Sequence, residues 1–91
     1  MNIADIVISL NGRDAGKRFI VIATDEEYSL IADGKGRRVE KPKRKKNKHL
    51  EFEEAMSGIV KDKLSRGDMI TNSELRKALT VGGALKCQKT T

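Results

Sequence analysis

DIVISLNGRDAGKRFIVIATDEEYSLIADG, residues 5–34, sets three runs of strand-forming residues between two polar turns. In the first run, over residues 3–10, Ile6, Ile8 and Leu10 recur at period two, the pattern of a half-buried strand. The second run, RFIVIA (18–23), is apolar almost without a break. Such a strand is buried on both faces, one toward a barrel interior and the other under a helix or a partner. YSLIAD (28–33) is the third strand. Asp33-Gly34 is a hairpin signal, because glycine accepts positive φ without steric penalty.

Downstream of this core, GRRVE (36–40) reads as a fourth strand and HLEF (49–52) as a short fifth. Pro42, the only proline, interrupts between them, since it has no backbone donor for a central strand. The charged stretch KPKRKKNK reads as an extended arm, or an extended lead into the fifth strand. From Glu53 to Ser65 the texture changes. Ala55, Met56, Ile59, Val60 and Leu64 fall at helical spacing, with Glu53 and Glu54 at the start and Lys61, Lys63 and Arg66 near the end, as the helix dipole favours. Gly67 is a C-terminal stop. TNSELRKAL (71–79) opens with a capping box, Thr71 with Glu74, and a hydrophobic staple, Ile70 with Leu75. The expectation is a mainly β protein with C-terminal helices. Residues 1–52 would hold about five strands and a basic arm at 35–49. Residues 53–80 add one amphipathic helix and one short helix packed on the strands, and 81–91 are a flexible tail.

The chain has 91 residues and only three aromatic residues, Phe19, Tyr28 and Phe52. So small a core leaves little room for a deep catalytic cleft. The net charge of +6 is unevenly placed: residues 1–34 carry −3, residues 35–49 carry +8, and residues 50–91 carry +1. The excess lies in Lys35, Arg37, Arg38, Lys41, Lys43, Arg44, Lys45, Lys46 and Lys48, opposed only by Glu40. Crowded cations resist burial and suit a polyanion, whose phosphates release counterions when neutralised. No apolar stripe accompanies them, which argues against insertion at a membrane surface. No run reaches the roughly 20 apolar residues of a membrane span. The N-terminus lacks a signal-peptide pattern, and the single Cys87 builds no internal disulfide, so the expected location is the cytoplasm.

A second basic feature is the loop Asn11-Gly12-Arg13-Asp14-Ala15-Gly16-Lys17-Arg18. Arg13, Lys17 and Arg18 can each meet a phosphate, while Gly12, Gly16 and Gly34 are candidate structural turns. Other candidates are weaker. Asp33-Gly34-Lys35-Gly36 lacks the Gly-Lys-Ser/Thr ending of a nucleotide-binding loop. His49 has no ligand cluster around it, so no metal is expected. Cys87 has no evident base nearby, and three consecutive acids, Asp25 to Glu27, are ordinary for a solvated turn.

Strand, glycine-bearing basic loop, strand, acidic turn and strand, in that order and spacing, resemble the KOW motif over residues 5–33, with Gly16 at its defining glycine. GRRVEKPKRKKNKHL, a helix and TNSELRKAL extend the likeness to about residues 5–80. The whole resembles short bacterial KOW-domain RNA-binding proteins, which are similar to archaeal and eukaryotic large-subunit ribosomal proteins of the fourteen/six/twenty-seven type. The resemblance implies an SH3-like barrel, no catalysis, no cofactor, no small-molecule substrate, and RNA as partner, above all ribosomal RNA of the large subunit. KOW modules of NusG-like transcription factors also bind proteins. The alternative is therefore a protein-interaction module of the transcription or translation machinery, with ribosomal or transcription proteins as partners and secondary RNA affinity.

Overall fold

A computed structural model of the chain describes residues 2–55 and 59–79. Five strands come first: β1 (Asp5–Ser9), β2 (Arg18–Thr24), β3 (Tyr28–Ala32), β4 (Lys43–Lys46) and β5 (Leu50–Ala55). A 3-10 turn, Asn47–His49, joins the last two. Helix α1 (Ile59–Arg66) and helix α2 (72–79) follow. The strands form one antiparallel sheet in the order β4-β3-β2-β1-β5. The sheet is open: β4 and β5 are its edges and do not pair among the described residues, so the expected barrel closure is not seen.

The sheet nonetheless curls. Register shifts between Ile6 and Val7 on β1 and between Val21 and Ala23 on β2 mark bulges, which sharpen local twist. Lys45 on the β4 edge reaches the end of β1, two strands inward from its own neighbour β3, where its Nζ donates to Ser9 Oγ at 2.6 Å.

Both faces of β2 are covered, as its unbroken apolarity requires. Phe19 and Val21 join Val7, Ile31 and Leu50 in one cluster. Ile20 joins Ile6 and Ala32 in a second, closed over by Ile70, Leu75 and Ala78 from the helical segment, with Val60 and Leu64 of α1 against its rim. Removing a Leu75-sized side chain from water contributes about 1.5–3 kcal/mol, so this contact is a main tie between helices and sheet.

The helix ends follow their local signals. Thr71 N–H donates to Glu74 Oε1 at 3.0 Å and Glu74 N–H donates to Thr71 Oγ1 at 3.1 Å, a reciprocal capping box. Both staple residues, Ile70 and Leu75, are buried. At the end of α1, Gly67 takes φ +77°; its N–H donates to Leu64 O and the N–H of Asp68 to Lys63 O, a Schellman ending.

Two expectations need correction. Residues 36–40 do not form the fourth strand. The Asp33 carboxylate accepts the N–H groups of Lys35 and Arg37 and turns the chain, and Val39 N–H donates to Asn72 Oδ1 at 2.8 Å, which docks the segment on α2. The fourth strand is instead KRKK (43–46), within the stretch expected to be a free arm, paired with β3 through Tyr28↔Lys46 to Ile31↔Lys43. An edge strand can carry consecutive cations because one side of its backbone needs no partner strand. The helix expected from Glu53 is also displaced: β5 continues to Ala55, with Glu54 opposite Ile6 and Ala55 opposite Asp5, so the boundary expected at residue 52 falls inside a strand. Met56, the tail 81–91 and Cys87 lie outside the described residues.

Candidate nucleic-acid interface

The β1–β2 loop is shaped by two glycines with positive φ, Gly12 at +77° and Gly16 at +84°. Gly16 N–H donates to Ser9 O and Lys17 N–H to Asp14 O, which folds the loop back on itself. A Cβ at Gly16 would meet no atom of the described residues within 4 Å, so conformation and not space demands glycine there. Arg13 and Lys17 stand exposed at the tip, while Asp14 turns inward and is buried.

Gly34, φ +80°, lies under α2, and a Cβ there would come 2.3 Å from Asn72 O. Its carbonyl accepts Arg76 Nη1 at 2.6 Å. The β1–β2 loop, the β3–β4 loop and α2 thus enclose an open cleft of about 780 Å³. Arg13, Lys17, Lys35, Arg37 and Arg76 line it.

The candidate cations divide by what they already touch. Arg18 donates through Nε to Glu53 Oε1 at 2.8 Å and through Nη1 to Leu79 O at 3.1 Å, bracing sheet against helix. Arg37 is held by Asp14 Oδ2 at 3.1 Å. Lys45 is spent on Ser9 Oγ and, at 2.8 Å, on Asn11 O. These three are partly structural. Arg13, Lys17, Lys35, Arg38, Lys41 and Lys48 are exposed, with no ion pair among the described residues. On β4 the side chains alternate. Arg44 lies over the Tyr28 ring, 3.8 Å from its centroid, with Lys46 beside it, while Lys43 and Lys45 share the face of Ile31. Of the adjacent pair, Arg37 is turned to Asp14 and Arg38 is exposed.

Lys45 joins the two basic regions: its Nζ would sit 3.8 Å from a Cβ on Gly12. The register of β4 is fixed by Asn47, whose N–H donates to Glu27 O and whose Nδ2 donates to Asp25 O, both at 2.9 Å; its Oδ1 accepts the buried Ser29 hydroxyl.

The acids have local work. Asp25 Oδ1 accepts the N–H groups of Tyr28 at 2.7 Å and Glu27 at 2.8 Å, and these bonds hold its carboxyl below the usual range. Glu74 is lowered chiefly by Lys63 Nζ at 2.6 Å and next by Thr71 N–H. Among the described residues no three His, Cys, Asp or Glu side chains gather at metal-binding distance. No helix among them is long and apolar enough to cross a membrane.

Arg76 and Asp14 escaped the sequence reading. Arg76 belongs to a short helix with no charge cluster around it, and only the docking of α2 on Gly34 brings it to the cleft. No protein-family model matches the chain, and no curated protein matches its sequence.

Proposed function

We propose that this chain is a small cytoplasmic RNA-binding protein of the KOW type, ribosome-associated and acting in translation, which contacts structured ribosomal RNA of the large subunit without catalysing a reaction. One observation carries the reading: cations from residues 13–18, 35–37 and 76, distant in sequence, line one cleft, and Lys45 of the basic strand β4 reaches the β1–β2 loop that forms one of its walls. The exposed cations supply phosphate contacts, and the glycine-shaped loops fix orientation. The SH3-like part of the reading is supported by a four-strand meander, β1 to β4, that curls on two bulges, with a 3-10 turn carrying the chain from β4 across to β5 on the far side of β1. With no aromatic ring in the cleft and Tyr28 already under Arg44, recognition at the cleft rests on shape and charge more than on aromatic stacking.

The alternative, a protein-interaction module, would take its docking surface from the doubly apolar β2 and the C-terminal helices. Ile70, Leu75 and Ala78 cover that second face from within the chain, so β2 calls for no outside partner. Sedimentation of tagged protein through a ribosome gradient, at low and high salt, tests the proposal. Co-migration with the large subunit that salt releases is expected; protein staying at the top at low salt refutes the ribosomal role.

A further inference from the structure

We propose that the cleft between the β1–β2 loop, the β3–β4 loop and α2 receives a single nucleotide turned out of an RNA helix, so that the protein prefers bulged to fully paired RNA. This inference rests on the RNA-binding reading above and adds the feature of the RNA that is recognised.

Shape comes first. A flat basic face suits the phosphates of a regular duplex; a walled cleft suits a group that projects from it. At about 780 Å³ the cleft lies in the range of roughly 300–1,000 Å³ that holds a compact organic ligand, the size class of one nucleotide.

The charge suits a phosphate at the mouth. Arg13, Lys17 and Lys35 are exposed on the two loops, and Arg76 faces them from α2. The two acids of the lining are turned to other work. Asp14 takes Nε and Nη2 of Arg37, and Asp33 takes the backbone N–H groups of Lys35 and Arg37. Their charge is directed into the fold, and the opening stays cationic.

The interior suits a base. Guanidinium planes stack on unpaired bases as aromatic rings do. Two such planes here are held before any ligand arrives: Arg37 by two bonds to one Asp14 oxygen, at 3.3 and 3.1 Å, and Arg76 by Gly34 O at 2.6 Å. Leu79 adds apolar wall. The close approach of Gly34 to Asn72 fixes α2 against the loop, so little ordering is left for binding to drive.

The test is fluorescence anisotropy of the full chain with a fully paired hairpin and the same hairpin carrying one unpaired adenosine. The bulged form should bind about tenfold tighter, within the contribution of one stacked base. That ratio should fall to about one in Arg13→Ala/Arg76→Ala. It should fall likewise in Lys17→Ala/Lys35→Ala, whose exposed side chains make no bond among the described residues and which therefore guards against misfolding of the first variant. In Lys43→Ala/Lys46→Ala both affinities should drop with the ratio kept. Equal wild-type affinities, or a ratio that survives both cleft variants, overturn the inference while leaving RNA binding intact. Saturation of the cleft by adenosine monophosphate without any preference for the bulge overturns the RNA occupant. Absence of binding to either hairpin removes the RNA-binding reading itself.

Discussion

Replacing Gly34 with Ala perturbs the junction that builds the cleft, and replacing Gly16 with Ala is its natural control. Both glycines have φ near +80°. An L-residue in the left-handed region costs about 1–2 kcal/mol, offset in part because alanine restricts the unfolded chain by about 0.4–1 kcal/mol. At Gly16 none of the described residues lies within 4 Å of the new methyl, so the conformational term stands alone at about 1 kcal/mol. At Gly34 the methyl would sit 2.3 Å from Asn72 O. Ordinary contact needs about 3.5 Å, so the first turn of α2 must retreat by about 1 Å. That movement strains Val39 N–H to Asn72 Oδ1, Asn72 Nδ2 to Glu40 Oε1, and Arg76 to Gly34 O, now 2.8, 2.7 and 2.6 Å. Each contributes about 0.5–1.5 kcal/mol net, so weakening all three adds about 2 kcal/mol. Gly34→Ala should therefore cost about 3 kcal/mol against about 1 kcal/mol for Gly16→Ala. Melting temperatures should drop by roughly 12–24 °C and 4–8 °C respectively. Urea unfolding followed by circular dichroism measures both. Equal losses at the two positions refute the claim that close packing of α2 on the β3–β4 loop, and not backbone conformation, dominates at Gly34.

The helical layer offers three further checks. Leu75→Ala empties the centre of the sheet–helix contact and should cost about 2–5 kcal/mol by urea unfolding, with loss of helical signal before sheet signal. Thr71→Ala removes one half of the capping box and should cost about 1 kcal/mol, readable in the same assay. Glu74 and Asp25 both sit below their ordinary values of 4.5 and 3.8, so each adds stability that is complete above that value and lost as pH falls through its lower folded value. The urea midpoint should be level near neutrality and decline in the acid range, and Glu74→Gln should flatten the decline; an unchanged slope in that variant removes Glu74 from the account.

Where local chemistry decides the structure, the sequence was legible. β1 to β3 follow from their runs of strand-forming apolar residues, though the alternation expected in β1 does not hold: Ile6 and Val7 are buried on opposite faces and Leu10 is exposed beyond the strand. Thr71, Glu74 and Gly67 mark helix ends through bonds spanning only a few residues. The misplaced elements are those decided at long range. KRKK has poor strand propensity, and it becomes β4 because β3 offers an edge and Asn47 pins its end to the β2–β3 turn. Glu53 to Ala55 carry a helix-like pattern, yet Arg18 holds Glu53 from 35 residues away and β1 supplies partners for Glu54 and Ala55. For the candidate interface the charge was legible and the cleft was not. Its three walls meet only after α2 docks on Gly34, and that contact leaves no trace in spacing or composition.

Four consecutive cations in β4 oppose the fold that holds them. Pairing with β3 fixes them about 3.3 Å apart along the strand, where they repel. Arg44 over Tyr28 offsets about 0.5–1 kcal/mol of this, and the bonds from Lys45 to Ser9 and Asn11 offset a similar amount. Lys43 and Lys46 have no such compensation beyond the looser approach of Lys46 to the Tyr28 ring, 5.9 Å from its centroid. Salt should therefore act with opposite signs on stability and on binding. Raising ionic strength shortens the Debye length from about 30 Å at 0.01 M to about 10 Å at 0.1 M, which screens the strand and should raise the melting temperature of the free protein. The same salt should weaken the proposed RNA contact, with a log–log slope of about −0.7 to −0.9 per phosphate neutralised. In Lys43→Ala/Lys46→Ala both dependences should shrink together, because one pair of charges underlies both. If the melting temperature of the free wild-type protein is flat or falls with salt while RNA affinity still declines, repulsion within β4 is not what the anion relieves, and the basic surface acts on RNA without strain in the fold.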